Sequence, residues 1–193
     1  PKELLIDPYL MGLWLADGSI HHHQVRITKK DPEVVEYLKT LANKYKEYDG
    51  IYQFNFFANN QFLNYELLHS YGFDDVTRSR QKAIPSEYLL GSIEQRKRLL
   101  KGLMDGDGSC SHTDRKGEQA KLYSTTSITL AKTVHRLITS LGIVARDRHI
   151  VDKREGKTDY YQVSFNESSR YNRRSIQTAI RVEDEDIQCI EVD

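Results

Sequence analysis

Apolar residues recur along this chain at two spacings, and the two alternate. Leu10, Leu13 and Trp14 fall at i, i+3 and i+4, the repeat of one helix face. At 24–28 the period shortens to two: Gln24, Arg26 and Thr28 share one face of a predicted strand, Val25 and Ile27 the other. Asp31-Pro32-Glu33 opens a second helix whose apolar side is Val34, Val35, Leu38 and Leu41. The Asp49-Gly50 step joins 44–48 to 51–57 as a hairpin, with Gln53 and Asn55 opposite Tyr52, Phe54 and Phe56. Residues 60–71 read as a helix closed by Gly72, and 76–90 as a linker kept extended by Ile84-Pro85.

The same order then returns. Residues 93–102 lead into a helix, 122–126 form a strand, and Ser127 caps a helix with the stripe Leu130, Val134, Leu137, Ile138 and Leu141, ended by Gly142. A hairpin of 143–151 and 160–165 and a helix at about 169–180 complete the half. Each half reads helix, strand, helix, hairpin, helix, which predicts two halves related by a pseudo-twofold axis.

The repeat is sharpest at the first helix of each half. LMGLWLADG at 10–18 comes back as LKGLMDGDG at 100–108, each followed by serine. Gly12 and Ala16, like Gly102 and Gly106, lie at i and i+4, so each helix presents a smooth strip that another backbone can approach closely. Gly18 and Gly108 are expected to end the helices in a left-handed conformation. Asp17 and Asp107 then sit in the last turn, where an exposed acid is unfavourable by about 0.3–1 kcal/mol against the helix dipole. Two misplaced carboxylates predict a compensating cation.

Composition narrows the class. The chain has 193 residues, 38% hydrophobic and 29% charged, which fits one large or two fused globular domains. No apolar run reaches membrane-spanning length and no signal peptide opens the sequence, so no membrane partner is expected. Cys110 and Cys189 give neither a disulfide framework nor zinc-ligand spacing, and an intracellular protein of cytoplasm or nucleus is expected. Formal net charge is zero, but 183–193 hold six acids and no Lys or Arg, leaving +6 on the remainder. Basic residues cluster at 26–30, 78–82, 96–101 and 146–157, a distribution that permits a nucleic-acid surface.

The paired nonapeptides resemble the doubled signature of the LAGLIDADG homing endonucleases, in the two-copy single-chain form, and the likeness runs from about residue 10 to 181. It implies an α+β fold of two pseudo-symmetric αββαββα subdomains packed through the signature helices, with antiparallel sheets forming a DNA-binding saddle. The division is then 1–90, 91–182, and an acidic tail at 183–193. The implied activity is site-specific double-strand DNA cleavage with Mg²⁺, leaving short 3′ overhangs, by a monomer on a long, partly tolerant target. Mn²⁺ or Ca²⁺ can substitute in binding.

Asp17 and Asp107 match the family's metal-binding acids, with Ala16 and Gly106 beside them, and a hard, oxygen-only site suits Mg²⁺. Asp105 competes with Asp107 for that role but matches a different position of the signature, so it is not carried over. Lys82, in QKAIP, resembles a lysine placed before an Ile-Pro pair. No lysine stands in 172–180, where Arg173 or Arg174 is the substitute. Gln24, Arg26, Thr28, Gln53, Asn55, Arg146, Arg148, Gln162 and Ser164 are the candidate base readers. Lys29, Arg78, Arg80 and Lys153 are the candidate phosphate contacts. His21–His23 read as an exposed or DNA-facing loop rather than a metal site, since neighbouring strand residues point apart. The ending IQCIEVD resembles the start of an intein's C-terminal splicing block. With no leading Cys or Ser and no terminal His-Asn, the chain is not expected to splice. The rival reading is a non-cleaving binder of the same fold, an RNA maturase or a degenerate endonuclease; the two retained acids argue against the degenerate endonuclease and leave the maturase open.

Overall fold

A computed structural model describes residues 3–111, 120–152, 154, 156 and 158–170, the last four by backbone alone. Asp7 starts the first helix: its Oδ1 accepts from the amides of Tyr9 (2.9 Å) and Leu10 (3.3 Å), and Pro8 takes the first helical position. This helix, α1 (Pro8–Asp17), is apolar on nearly every side, and residues 10–15 are all buried. Next come β1 (Gly18–His21), β2 (Gln24–Lys29), α2 (Pro32–Leu41), β3 (Lys44–Tyr48), β4 (Ile51–Phe56) and α3 (Tyr65–His69). A single 3-10 turn at Ser79–Gln81 and the short α4 (Ser86–Leu89) carry the linker. The second half follows as α5 (Ile93–Asp107), β5 (Gly108–Cys110), β6 (Lys121–Thr125), α6 (Ile128–Ser140), β7 (Ile143–Ile150) and β8 (Tyr160–Arg170).

The strands form two four-stranded antiparallel sheets of matching topology, β1-β2-β4-β3 and β5-β6-β8-β7. Their registers superpose: Gly18 pairs with Ile27 as Gly108 pairs with Tyr123, and Thr28 pairs with Gln53 as Ser124 pairs with Gln162. The fold is thus α+β with a doubled unit, as the repeat implied. One continuous core joins the halves, running from Val25, Ile27, Phe54 and Phe56 through Leu10, Leu13 and Trp14 to Leu103, Val134, Leu137 and Val163.

The signature helices meet along their small residues. A Cβ on Gly12 would lie 2.5 Å from the Leu99 carbonyl oxygen and 2.7 Å from the Leu103 nitrogen. One on Gly102 would enter the Tyr9 carbonyl, and one on Gly106 would overlap the Ala16 methyl. Hydrogen atoms at these positions let the backbones touch.

Several expectations need correction. Gly18 (φ −81°, ψ 159°) and Gly108 (φ −77°, ψ 151°) are extended, not left-handed, because each helix passes straight into a strand. Glycine is required there for space, since a Cβ would strike the Trp14 indole in one case and Met104 in the other. Periodicity does not predict β1 and β5, since four and three residues are too few to display a period, although the αββαββα plan that the resemblance implies contains them. His22 (φ 50°) and His23 (φ 57°) form the two-residue turn between β1 and β2, and His23 is tied to Asp75 through its amide (3.0 Å) and its imidazole (3.0 Å). The helix expected at 60–71 is only α3. Asn60 is buried and uses its side chain to bond Leu41, Asn43, Phe62 and Leu63, which holds the preceding stretch irregular. Residues 169 and 170 belong to β8 rather than to a final helix, and the rest of that helix lies outside the described residues.

Candidate active site

Packing α1 on α5 brings their C-terminal ends together. Asp17 and Asp107 come within hydrogen-bonding reach of each other there. Asp105 is engaged elsewhere: the Tyr9 hydroxyl donates to its Oδ2 (2.7 Å) and Lys101 pairs with the same carboxylate. The choice of Asp107 over Asp105 therefore agrees with which acid meets Asp17.

The compensating cation that the helix ends called for exists twice. Lys82, 4% exposed, donates to the carbonyls of Trp14 (2.9 Å), Leu15 (3.1 Å) and Gly18 (2.7 Å), closing the last turn of α1. Its backbone is anchored in turn by Ser127, whose hydroxyl donates to the Lys82 carbonyl (2.7 Å) while accepting from the first turn of α6. Lys29 does the same for α5, donating to the carbonyls of Asp105 (3.1 Å) and Gly106 (2.7 Å), and its ammonium also pairs with the Asp17 carboxylate.

This corrects the placement of Lys29 on the DNA-facing side. It is buried because it continues the odd-numbered face of β2, after Val25 and Ile27, and so points inward. The basic run at 26–30 concealed a parity that identifies it, and the exposed neighbour is Lys30.

Electrostatics follow the burial. Lys82 is pulled down to about 8 by desolvation, against the opposing charges of Asp107 and Asp17. Asp107 is pushed up to about 7, first by burial, then by the charge of Asp17 and a hydrogen bond with it, with Lys29 and Lys82 pulling the other way. In the ion-free protein the folded state thus holds a proton that the unfolded chain releases near 4. The contribution of Asp107 to stability falls as pH rises from about 4 through about 7. Asp107→Asn is expected to flatten that decline and to exceed the parent protein at pH 8 by about 1–3 kcal/mol, once solvent screening is allowed for. Thermal melts in chelator between pH 5 and 8 measure it, and parallel curves for the two proteins would refute it.

Two separate hollows open beside the acids. One, about 310 Å³, is lined by Ala16, Asp107 and Lys82 with the hydroxyl residues Ser79, Ser124, Thr125 and Thr126. The other, about 270 Å³, is lined by Asp17, Gly106, Lys29, Lys30, Thr28 and Asp31. Each joins the acid of one helix to the residue before the acid of the other, so Asp17, Asp107, Ala16 and Gly106 are brought together as a set. Beneath them Tyr123 is fully buried, and its hydroxyl has no hydrogen-bond partner among the described residues. Sequence reading missed Tyr123; its only signal was a hydroxyl in the strand slot that the first half fills with Ile27.

The LAGLIDADG-like domain family matches residues 6–53 and 94–180. This chain belongs to that family. It is 30% identical over 166 residues to the replicative DNA helicase DnaB of Mycobacterium intracellulare, covering 85% of this chain and 24% of that protein. It is 29% identical over 178 residues to the ATP-dependent DNA helicase Hel308 of Thermococcus kodakarensis, covering 84% and 15%. With the DNA-directed RNA polymerase subunit Rpo1C of Methanocaldococcus jannaschii it shares 31% over 130 residues, covering 60% and 14%. The chain therefore spans a quarter or less of each of these relatives.

In this LAGLIDADG-like chain the candidate base readers fall on the polar faces of the two sheets. Arg26, Asn55 and Lys44 stand in register across the first sheet, as do Thr28, Gln53 and Lys46. Ser164 beside Arg146, and Ser124, Gln162 and Arg148, repeat the rows in the second. Gln24 occupies the same face and accepts from the Arg26 guanidinium (3.0 Å). Lys44 and Lys46 are candidates that the sequence reading passed over, although KYKEY alternates and its register partners are the counterparts of those of Arg146 and Arg148. Arg78 and Arg80 are exposed on the linker, where Arg80 donates to Thr158 (3.0 Å). Lys153 and Arg174 lie outside the described residues. Among the described residues no helix is long and apolar enough to cross a membrane.

Proposed function

We propose that this chain is a site-specific double-strand DNA endonuclease that hydrolyses phosphodiesters with divalent ions, Mg²⁺ foremost, held at Asp17 and Asp107. The observation that carries the reading is the pair of carboxylates at the joined helix ends, each opening on its own hollow beside a buried lysine. The donor set fits a hard cation: two carboxylates at the joined helix ends, lining the same hollows as Ala16 and Gly106. Among the described residues no three His, Cys, Asp or Glu side chains converge, so the remaining oxygens would come from phosphate and water.

Bound ions would supply Lewis-acid charge at the phosphate and lower the pKa of water. The chain's own residues do the rest. Lys29 and Lys82 fix the helix ends and lend positive charge at the acids. Ser124, Thr125 and Thr126 line one hollow with hydroxyls that can donate to phosphate oxygens, and Thr28 and Lys30 serve the other. The polar rows of the two sheets read bases along a long, tolerant target, with Arg and Gln or Asn supplying bidentate donors. Two active halves on one duplex yield a double-strand break with short 3′ overhangs, as the family resemblance implies, from a single chain.

The three relatives carry unlike names and come from a bacterium and two other sources, yet share this segment as a small part of their length. That pattern supports a mobile insert, and with IQCIEVD it supports an intein origin and an intracellular site of action. Incubating the full chain with a randomised DNA library in Mg²⁺ and selecting cut ends tests the activity. Recovery of a common cleaved site is expected. Specific binding without cleavage under Mg²⁺ or Mn²⁺ would overturn the enzyme reading in favour of a binder.

A further inference from the structure

The two halves are not chemically alike, although their backbones are. In the first, the Lys29 ammonium pairs with the Asp17 carboxylate and donates to the Gly106 carbonyl (2.7 Å), on two residues that line the same hollow. Its third contact is the Asp105 carbonyl (3.1 Å), so all three N–H donors are used. The side chain is only 5% exposed, which holds the charge in place. In the second half the register puts Thr125 where Lys29 stands in the first, and Thr125 is neutral. Lys82 lines the Asp107–Ala16 hollow and its charge acts on Asp107, but its ammonium is held by the carbonyls of Trp14, Leu15 and Gly18 and does not stand on the acid as Lys29 does. Among the described residues no ammonium is in ion-pair contact with Asp107.

We propose that Lys29 is a built-in monovalent cation of the Asp17–Gly106 half-site, so that a divalent ion loads first at the Asp107–Ala16 half-site. The proposal rests on the reading that the acids hold divalent ions. A fixed ammonium between two oxygen donors repels a second cation from the same place and satisfies the donors it would use. The halves then fill in order, and the strand facing Asp107 is cut before its complement, through a nicked duplex.

Mn²⁺ binding to the full chain without DNA, followed by calorimetry and by electron paramagnetic resonance of free Mn²⁺, tests this. One tight ion is expected in the parent protein, with any second site at least tenfold weaker. Lys29→Gln, which keeps a donor but loses the charge, should bind two ions of comparable affinity, and Lys29→Arg one. Asp17→Asn should retain the single ion and Asp107→Asn lose it, a pair of results that holds even if Lys29→Gln does not fold. Two equal ions in the parent protein, no change of stoichiometry in a folded Lys29→Gln, or equal loss in both aspartate variants would overturn the proposal and leave the metal reading intact. No binding in any variant would overturn both.

Discussion

Asp107→Asn is expected to reduce cleavage of one DNA strand by at least about 10²–10³-fold while target binding stays within a few-fold. Asn keeps the shape of the carboxyl but cannot neutralise a divalent ion, and the sheet faces that meet DNA lie outside the change. Asp17→Asn should reduce cleavage of the other strand in the same way, because each acid opens on a separate hollow. End-labelled duplex with each strand marked separately, resolved on a denaturing gel, distinguishes the two variants. Full double-strand cleavage by either would remove the acids from the mechanism. Uniform loss of binding would assign them to the scaffold instead.

The second large effect is on stability. Gly102→Val should cost about 3 kcal/mol or more, since the new side chain must enter the Tyr9 carbonyl at a backbone contact that has no flexible partner to give way. For a chain of this size that lowers Tm by roughly 6–12 °C. Gly12→Val should behave alike, as its Cβ would lie 2.5 Å from a backbone oxygen. Because the acids are held by this same contact, cleavage should fall with stability. A melt of Gly102→Val that matches the parent protein would show that the helices can separate without consequence.

Much of this was legible because it repeats. Gly12, Ala16, Gly102 and Gly106 announced a close helix pair, and the pair is formed. The alternation in β2, β4 and β8 separated polar from buried faces, and those faces are as expected. What the periodicity did not reveal has a common cause. β1 and β5 are set by hydrogen bonding to β2 and β6, not by their own few residues. Lys29 looked like part of a solvated basic run because charge dominates a one-dimensional reading, yet its parity placed it inside. Tyr123 carried no motif at all, and matters only because β6 passes beneath the joined helix ends.

By itself the sequence determined the doubled plan, the two signature helices and the acids at their ends, since helix and strand periods and small-residue spacing act within a few residues of chain. Only the tertiary structure decided which cation serves which helix end. Lys82 is 64 residues from Gly18 and Lys29 is 77 from Gly106, so each pairing is made by tertiary packing, the second across the two halves, rather than by local spacing.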